Sequence, residues 1–104
     1  FSDSVVHGGT VYLVEVPSNL DADIEGQARN LLASVDRLLA EAGSDKTRIL
    51  MTQIFLTDIS EIAAMNEVWD AWVPAGHTPP RATVQAKLAR PDWRIEIVAT
   101  AAVA

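Results

Sequence analysis

Arg81 stands at the head of an alternating segment, within TPPRATV at residues 78–84. Pro79 and Pro80 each lock their own φ and push the preceding residue towards extended backbone, so the cation arrives on a stiff lead-in. A guanidinium held this way grips a carboxylate through two parallel N–H···O bonds, a geometry lysine does not match. Two glutamates sit at strand-like positions, Glu15 after Val14 and Glu96 between Ile95 and Ile97. A carboxyl among apolar neighbours is pushed towards its neutral form and can serve as a general acid or base. On residue type alone the competing account is favoured: solvated strand charges and cross-strand ion pairs, which are common and contribute little.

Other constellations are missing. There is no phosphate-binding P-loop, no dinucleotide glycine fingerprint and no nucleophile-elbow pattern. His7 and His77 have no neighbours at metal-ligand spacing and read as strand-end or turn residues, so no metal site is expected. With no cysteine, thiol nucleophiles and zinc–thiolate sites are excluded. Trp69, Trp72 and Trp93 read as core before stacking platform.

The 104 residues suit one domain, spanning 1–104, with room for a real core. Lys and Arg number 8 against 14 Asp and Glu, a formal charge of −6. An acidic chain without a basic patch disfavours nucleic acid and anionic membrane as partners. No apolar run is long enough to span a bilayer, and a cytoplasmic location is expected.

The elements that must hold these residues follow from periodicity. Val5-Val6-His7 and Val11 to Val14 flank Gly8-Gly9 and predict a hairpin whose turn needs positive φ. Asp21 or Asp23 can cap a helix running to about Ala42, with Ile24, Ala28, Leu31, Leu32, Val35, Leu38 and Leu39 on one face. Gly43 ends it. Ile49 to Thr57 predicts a strand, and Ser60 is expected to cap a second helix striped by Ile62, Met65, Trp69 and Trp72. Arg81 to Leu88 and Trp93 to about Ala101 predict two more strands, turning at residues 89–92.

The order is β-β-α-β-α-β-β, an α+β domain with both helices expected on one face of the sheet. Strand alternation sorts Ala82, Val84, Ala86 and Leu88 towards the helices and Arg81, Thr83, Gln85 and Lys87 away from them. If the last two strands form a hairpin, Glu96 lies opposite about Gln85, roughly 13 Å from Arg81 at strand rise. That is too far for both to touch one small ligand directly, unless a bulge or a neighbouring subunit reshapes the site or the gap holds the substrate plus water.

A longer pattern joins these pieces: EAGSDKTRILMTQIFLTDISEIAAMNEVWDAW, then PPRATVQAKL, then RIEIVATAAV. It resembles the reactive-intermediate deaminase superfamily, also called the YjgF or Rid family, over nearly the whole chain. The resemblance implies a chorismate-mutase-like fold with a mixed sheet, and a homotrimer whose clefts lie between subunits. It also implies cofactor-free hydrolysis of 2-imino or enamine acids to 2-keto acids and ammonia. By that resemblance Arg81 holds the substrate carboxylate and Glu96 helps a water attack the imine carbon. Asn66 lines or supports the cleft, and Thr83 takes a position that is often cysteine or threonine.

The sequence departs from the deaminating members at three cleft positions. Phe1 stands where they carry tyrosine, and Val14-Glu15 replaces Ser-Gly, removing a phenol and a hydroxyl. The pattern is that of a divergent branch. Glu15 then either competes with the substrate carboxylate for Arg81 or turns outwards. Two other readings stay open: a non-catalytic binder of small carboxylates such as 2-keto acids, and, third, the endoribonuclease or translation-inhibitor role attached to some relatives.

Overall fold

The computed structural model describes residues 3–104. Five strands and two long helices follow the expected order. β1 (Ser4–His7) and β2 (Thr10–Glu15) form the predicted hairpin, with Gly8 at φ 59° and Gly9 at φ 78° supplying the two-residue turn. α1 (Ile24–Glu41) starts at Asp23, whose side chain accepts from the Gly26 N–H at 2.9 Å, which settles the choice between the two aspartates. It ends as a Schellman motif. Ser44 N–H donates to the Leu39 carbonyl at 2.8 Å and Gly43 N–H to Ala40 at 3.1 Å, with Gly43 at φ 77°.

β3 (Ile49–Leu56) leads through a short 3₁₀ turn (Ile59–Glu61) into α2 (Ile62–Trp72). Ser60 does not cap α2. It lies inside that turn, which Asp58 caps by accepting from the Ser60 N–H at 3.0 Å and its hydroxyl at 2.6 Å, while Glu61 at the N-cap of α2 makes no side-chain cap. β4 (Arg81–Gln85) is three residues shorter than predicted, and β5 runs Ile95–Ala102.

The sheet order is β1-β2-β5-β3-β4. β5 lies antiparallel between β2 and β3, whereas β4 lies parallel to β3 at the edge. The last two strands are therefore not a hairpin. β3, α2 and β4 form a strand–helix–strand crossover, which is what joins adjacent parallel strands. Glu96 stands opposite Phe55, and Gln85 opposite Leu56.

One face of this sheet makes the core. Val11 and Leu13, Thr52, Ile54 and Leu56, and Ile95, Ile97, Ala99 and Ala101 are all buried there. Against them pack Leu31, Val35, Leu38 and Leu39 of α1 and Met65, Val68 and Trp69 of α2. Burying this many large aliphatic side chains, at about 1.5–3 kcal/mol each, is the main force holding the layers together.

The other face has no helix over it. Register places Val5, Tyr12, Val14, Met51, Gln53, Phe55, Ala82, Val84, Glu96 and Val98 on that side. Five of these apolar side chains, Val5, Tyr12, Val14, Met51 and Val84, are between 38% and 59% exposed. The predicted faces of β4 are thus inverted. Ala82 and Val84 look away from the helices, while Arg81 and Thr83 share the helix side with Thr52 and Ile54. The inversion has a physical basis: an arginine stem with an aromatic partner packs against a helix, and the apolar pair is left on a bare face.

Candidate functional site

Arg81 is mounted from three directions. Behind it, Thr52 binds the Pro80 carbonyl twice, through its N–H at 3.0 Å and its hydroxyl at 3.0 Å. From α2, Asn66 Oδ1 accepts from Arg81 Nη2 at 2.7 Å. Three residues along the same helix, Trp69 places its ring beneath the guanidinium, 5.2 Å from centroid to Cζ. Residues three apart on a helix share a face, which is why one turn of α2 supplies both contacts.

Arg81 forms no ion pair among the described residues. Its partners are an amide and an indole, and both are neutral. Burial lowers its pKa from the ordinary value, Asp70 pulling weakly the other way, yet a guanidinium stays charged throughout the working range. A half-buried cation with most of its N–H donors uncommitted is a ready receptor for a planar anion.

Thr83 lies two residues along the same face of β4. Its hydroxyl oxygen is buried and has no hydrogen-bond partner. Buried polar atoms without partners are rare, and one beside a free guanidinium points to a ligand or a neighbour that completes it.

Glu15 and Glu96 lie elsewhere. Together with Asp3, Val14, Val16 and Trp93 they line a cavity of ≈ 140 Å³ at one end of β2 and β5. Glu15 turns its carboxyl back onto its own chain, Oε1 accepting from the Val16 N–H at 3.2 Å, while Oε2 is buried without a partner. Burial pushes its pKa above the usual carboxylate value. The Val16 N–H works against that shift, Asp3 adds to it and Arg37 opposes it.

The candidate residues therefore divide into two groups. Arg81, Asn66 and Thr83 come together under β4 and α2, and Val14, Glu15 and Glu96 come together at the far end of β2 and β5. Phe1 lies outside the described residues. The two groups do not meet within one chain. Glu15 and Arg81 are three strands apart, roughly 14 Å at ordinary strand spacing, so Glu15 does not neutralise Arg81 of its own chain. Glu96 projects from the bare face and Arg81 from the helix face.

Two supporting residues were not anticipated. Trp69 reads from sequence as core and is indeed only 4% exposed, but its ring also carries Arg81. Gln27 sits fully buried in the apolar stripe of α1. Its Nε2 donates to the Asp92 carbonyl at 3.0 Å and its Oε1 accepts from the Arg94 N–H at 2.8 Å, pinning the lead into β5 just before Glu96. The signal was present: a lone amide between Ile24 and Leu31 on a face that is otherwise apolar.

Among the described residues no group of three or more His, Asp or Glu is placed to hold a metal, and no helix is long and apolar enough to cross a membrane.

Comparison with known proteins bears on the family and the fold. The model of the family described as "Endoribonuclease L-PSP" matches residues 1–103. The chain belongs to this family. The RutC family protein YoaB of Escherichia coli K12 is 52% identical over 103 residues, covering 99% of this chain and 90% of that protein. A member of the YjgF protein family from Neisseria meningitidis superposes with a TM-score of 0.96 at 48% identity, covering all of this chain and 87% of that one. A Salmonella typhimurium protein described as a putative translation initiation inhibitor superposes with a TM-score of 0.95 at 50% identity, covering 99% and 90%. The expected family and its α+β fold, two helices on a mixed five-stranded sheet, are those of this chain.

Proposed function

We propose that this chain acts as a homotrimer on small 2-imino acids, hydrolysing them to 2-keto acids and ammonia at clefts between subunits. The observation that carries the reading is Arg81: a half-buried guanidinium, fixed by two neutral partners and free of any ion pair among the described residues. Such a group recognises a planar carboxylate by a bidentate pair of charge-assisted hydrogen bonds.

The chemistry then needs a base near the carbon next to that carboxylate. Glu96 accepts a proton from water as the oxygen bonds to the imine carbon, and the C=N π electrons pass to nitrogen. Glu96 returns that proton to the nitrogen and then carries the adduct's hydroxyl proton to it as well, so that a C=O bond forms as the C–N bond breaks and the nitrogen leaves as ammonia. One water is consumed and no oxidant, reductant or cofactor enters. Because Arg81 and Glu96 project from opposite faces of the sheet, one copy supplies the anchor and its neighbour the base. The bare apolar face, with Tyr12, Met51 and Val84 exposed, supports self-association.

A second reading, a carboxylate binder without turnover, is favoured by one feature: Val14 and Glu15 offer no hydroxyl in the cavity that holds Glu96. The nucleic-acid role suggested by the family description fits the net charge of −6 poorly.

The deciding experiment generates 2-iminopropanoate or 2-iminobutanoate in situ and follows ammonia or keto-acid release. Acceleration by the native chain that is lost in Arg81→Ala supports the enzyme. Ligand-induced thermal stabilisation by pyruvate without turnover supports the binder. Failure of both would remove the carboxylate site altogether, and an RNA-binding assay at low salt then tests the remaining alternative.

A further inference from the structure

The geometry points to Trp69 as a positioning residue that sets the plane and reach of the Arg81 guanidinium, and so the affinity of the site for planar carboxylates. The inference rests on the carboxylate-anchoring role proposed for Arg81. It adds a residue that touches no ligand itself and acts through the arginine.

The physical case begins with how a long cation is held still. An arginine side chain has four rotatable bonds, and freezing them without a partner is costly in entropy. A carboxylate partner would freeze them but would also occupy the donors needed for a ligand. Asn66 and Trp69 hold the group without that conflict. Asn66 accepts a single N–H, at 2.7 Å, out of the five a guanidinium offers. Trp69 attracts the cation through its π face at 5.2 Å and consumes no N–H at all. With one face occupied by the indole, a ligand meets the guanidinium at its edge. That approach suits the flat, two-oxygen edge of a carboxylate.

Trp69 is itself braced. Trp72 packs against it with ring centroids 5.6 Å apart and planes tilted by 40°. The Trp72 Nε1–H donates to Asp36 Oδ2 at 3.0 Å, tying this pair to α1, and Lys46 Nζ lies 5.1 Å from the Trp72 ring. The series Asp36–Trp72–Trp69–Arg81 thus runs from the helix layer to the edge strand. Its charged end groups are outside the aromatic pair, so the indoles can transmit position without competing for the ligand.

The test uses the full-length native protein, Trp69→Leu, and Trp69→Phe as the conservative variant, each also in an Arg81→Lys background. Pyruvate is the probe, and its binding is read by calorimetry beside the Arg81 guanidinium ¹⁵N–¹H signals. Trp69→Leu is expected to weaken pyruvate binding about tenfold when Arg81 is present, and by about twofold or less when position 81 is lysine. Trp69→Phe should keep binding within roughly threefold of wild type, because the ring face is retained. The Arg81 side-chain signals should lose their ring-current displacement in the leucine variant and keep most of it in the phenylalanine variant. Equal losses in both backgrounds would mean a structural role only and would overturn the proposal, as would unweakened binding in Trp69→Leu. If wild-type protein does not bind pyruvate, the carboxylate reading falls. Trp69 is then judged on the side-chain signals alone: displacement lost in the leucine variant sustains the clamp, and unchanged signals overturn it.

Discussion

Arg81 and Glu96 occupy opposite faces of the same sheet, on strands separated by β3, with Arg81 paired to Thr52 and Glu96 to Phe55. Two residues arranged this way in one chain can act on one small molecule only if different copies contribute them. Mixing Arg81→Ala with Glu96→Gln subunits, each inactive alone, should therefore restore imine hydrolysis. Random assembly leaves about one quarter of the clefts with both native groups, so recovery of roughly 25% of wild-type rate is expected. No recovery after verified subunit exchange would show that each cleft draws both groups from one chain.

The bare face that would form such an assembly can be tested separately. Met51 is 48% and Val84 47% exposed, and both lie on the side of the sheet that no helix covers. Placing charge there costs nothing in an isolated chain but buries an unpaired ion at an interface. Met51→Lys and Val84→Asp should each break the proposed trimer into monomers, as read by sedimentation at micromolar concentration. Melting of the monomer itself should change little.

Glu15 makes a prediction about pH. Burial raises its folded-state pKa above the ordinary value of 4.5, with Asp3 adding to the rise and the Val16 N–H and Arg37 opposing it. Through the window from that ordinary value up to the raised one, the folded state binds more protons than the unfolded state. Stability contributed by this group therefore falls as pH rises through the window, and its ionised form is a net cost at neutral pH. Glu15→Gln should melt higher than wild type at pH 7 by roughly 2–4 °C, after allowance for the solvent still reaching the group. The two should converge below pH 4. Parallel melting curves across the whole range would remove the carboxyl as the cause.

Gln27 should matter far more than a surface amide. It satisfies backbone groups of Asp92 and Arg94 from inside the core, and all of it is buried. Gln27→Leu keeps the volume but strands those partners, each at about 1–3 kcal/mol. A total loss of about 2–4 kcal/mol is expected by urea denaturation. Imine turnover should fall more than carboxylate binding, since the lead to Glu96 is loosened while Arg81 is untouched.

Much of this molecule could be read locally. The threes and fours of Ile24 through Leu39 placed α1 almost to the residue, because a helix burying one face writes that period into its own sequence. The glycine pair at residues 8 and 9 marked the hairpin, since only a turn with two positive φ values needs it there. The stiff mount of Arg81 followed from Pro79 and Pro80, and the family resemblance named Asn66, Thr83 and Glu96 alongside it.

Pairing and facing were another matter. Alternation in β4 states which residues share a side, but a period of two is the same from either side and does not say which one the helices cover. Ala82 and Val84 looked like the core row, yet they lie on the bare face while Arg81 is tucked over Trp69. Nor could the spacing of the last two strands reveal that β4 joins β3 in parallel and leaves β5 to lie between β2 and β3. Those choices depend on which strand is free to accept hydrogen bonds once α2 has crossed over, a contact between distant parts of the chain. Local periods were enough for the elements, and the family resemblance singled out Arg81. The placement of Arg81 and Glu96 on opposite faces came from long-range pairing, and the case for a site shared between copies rests on it.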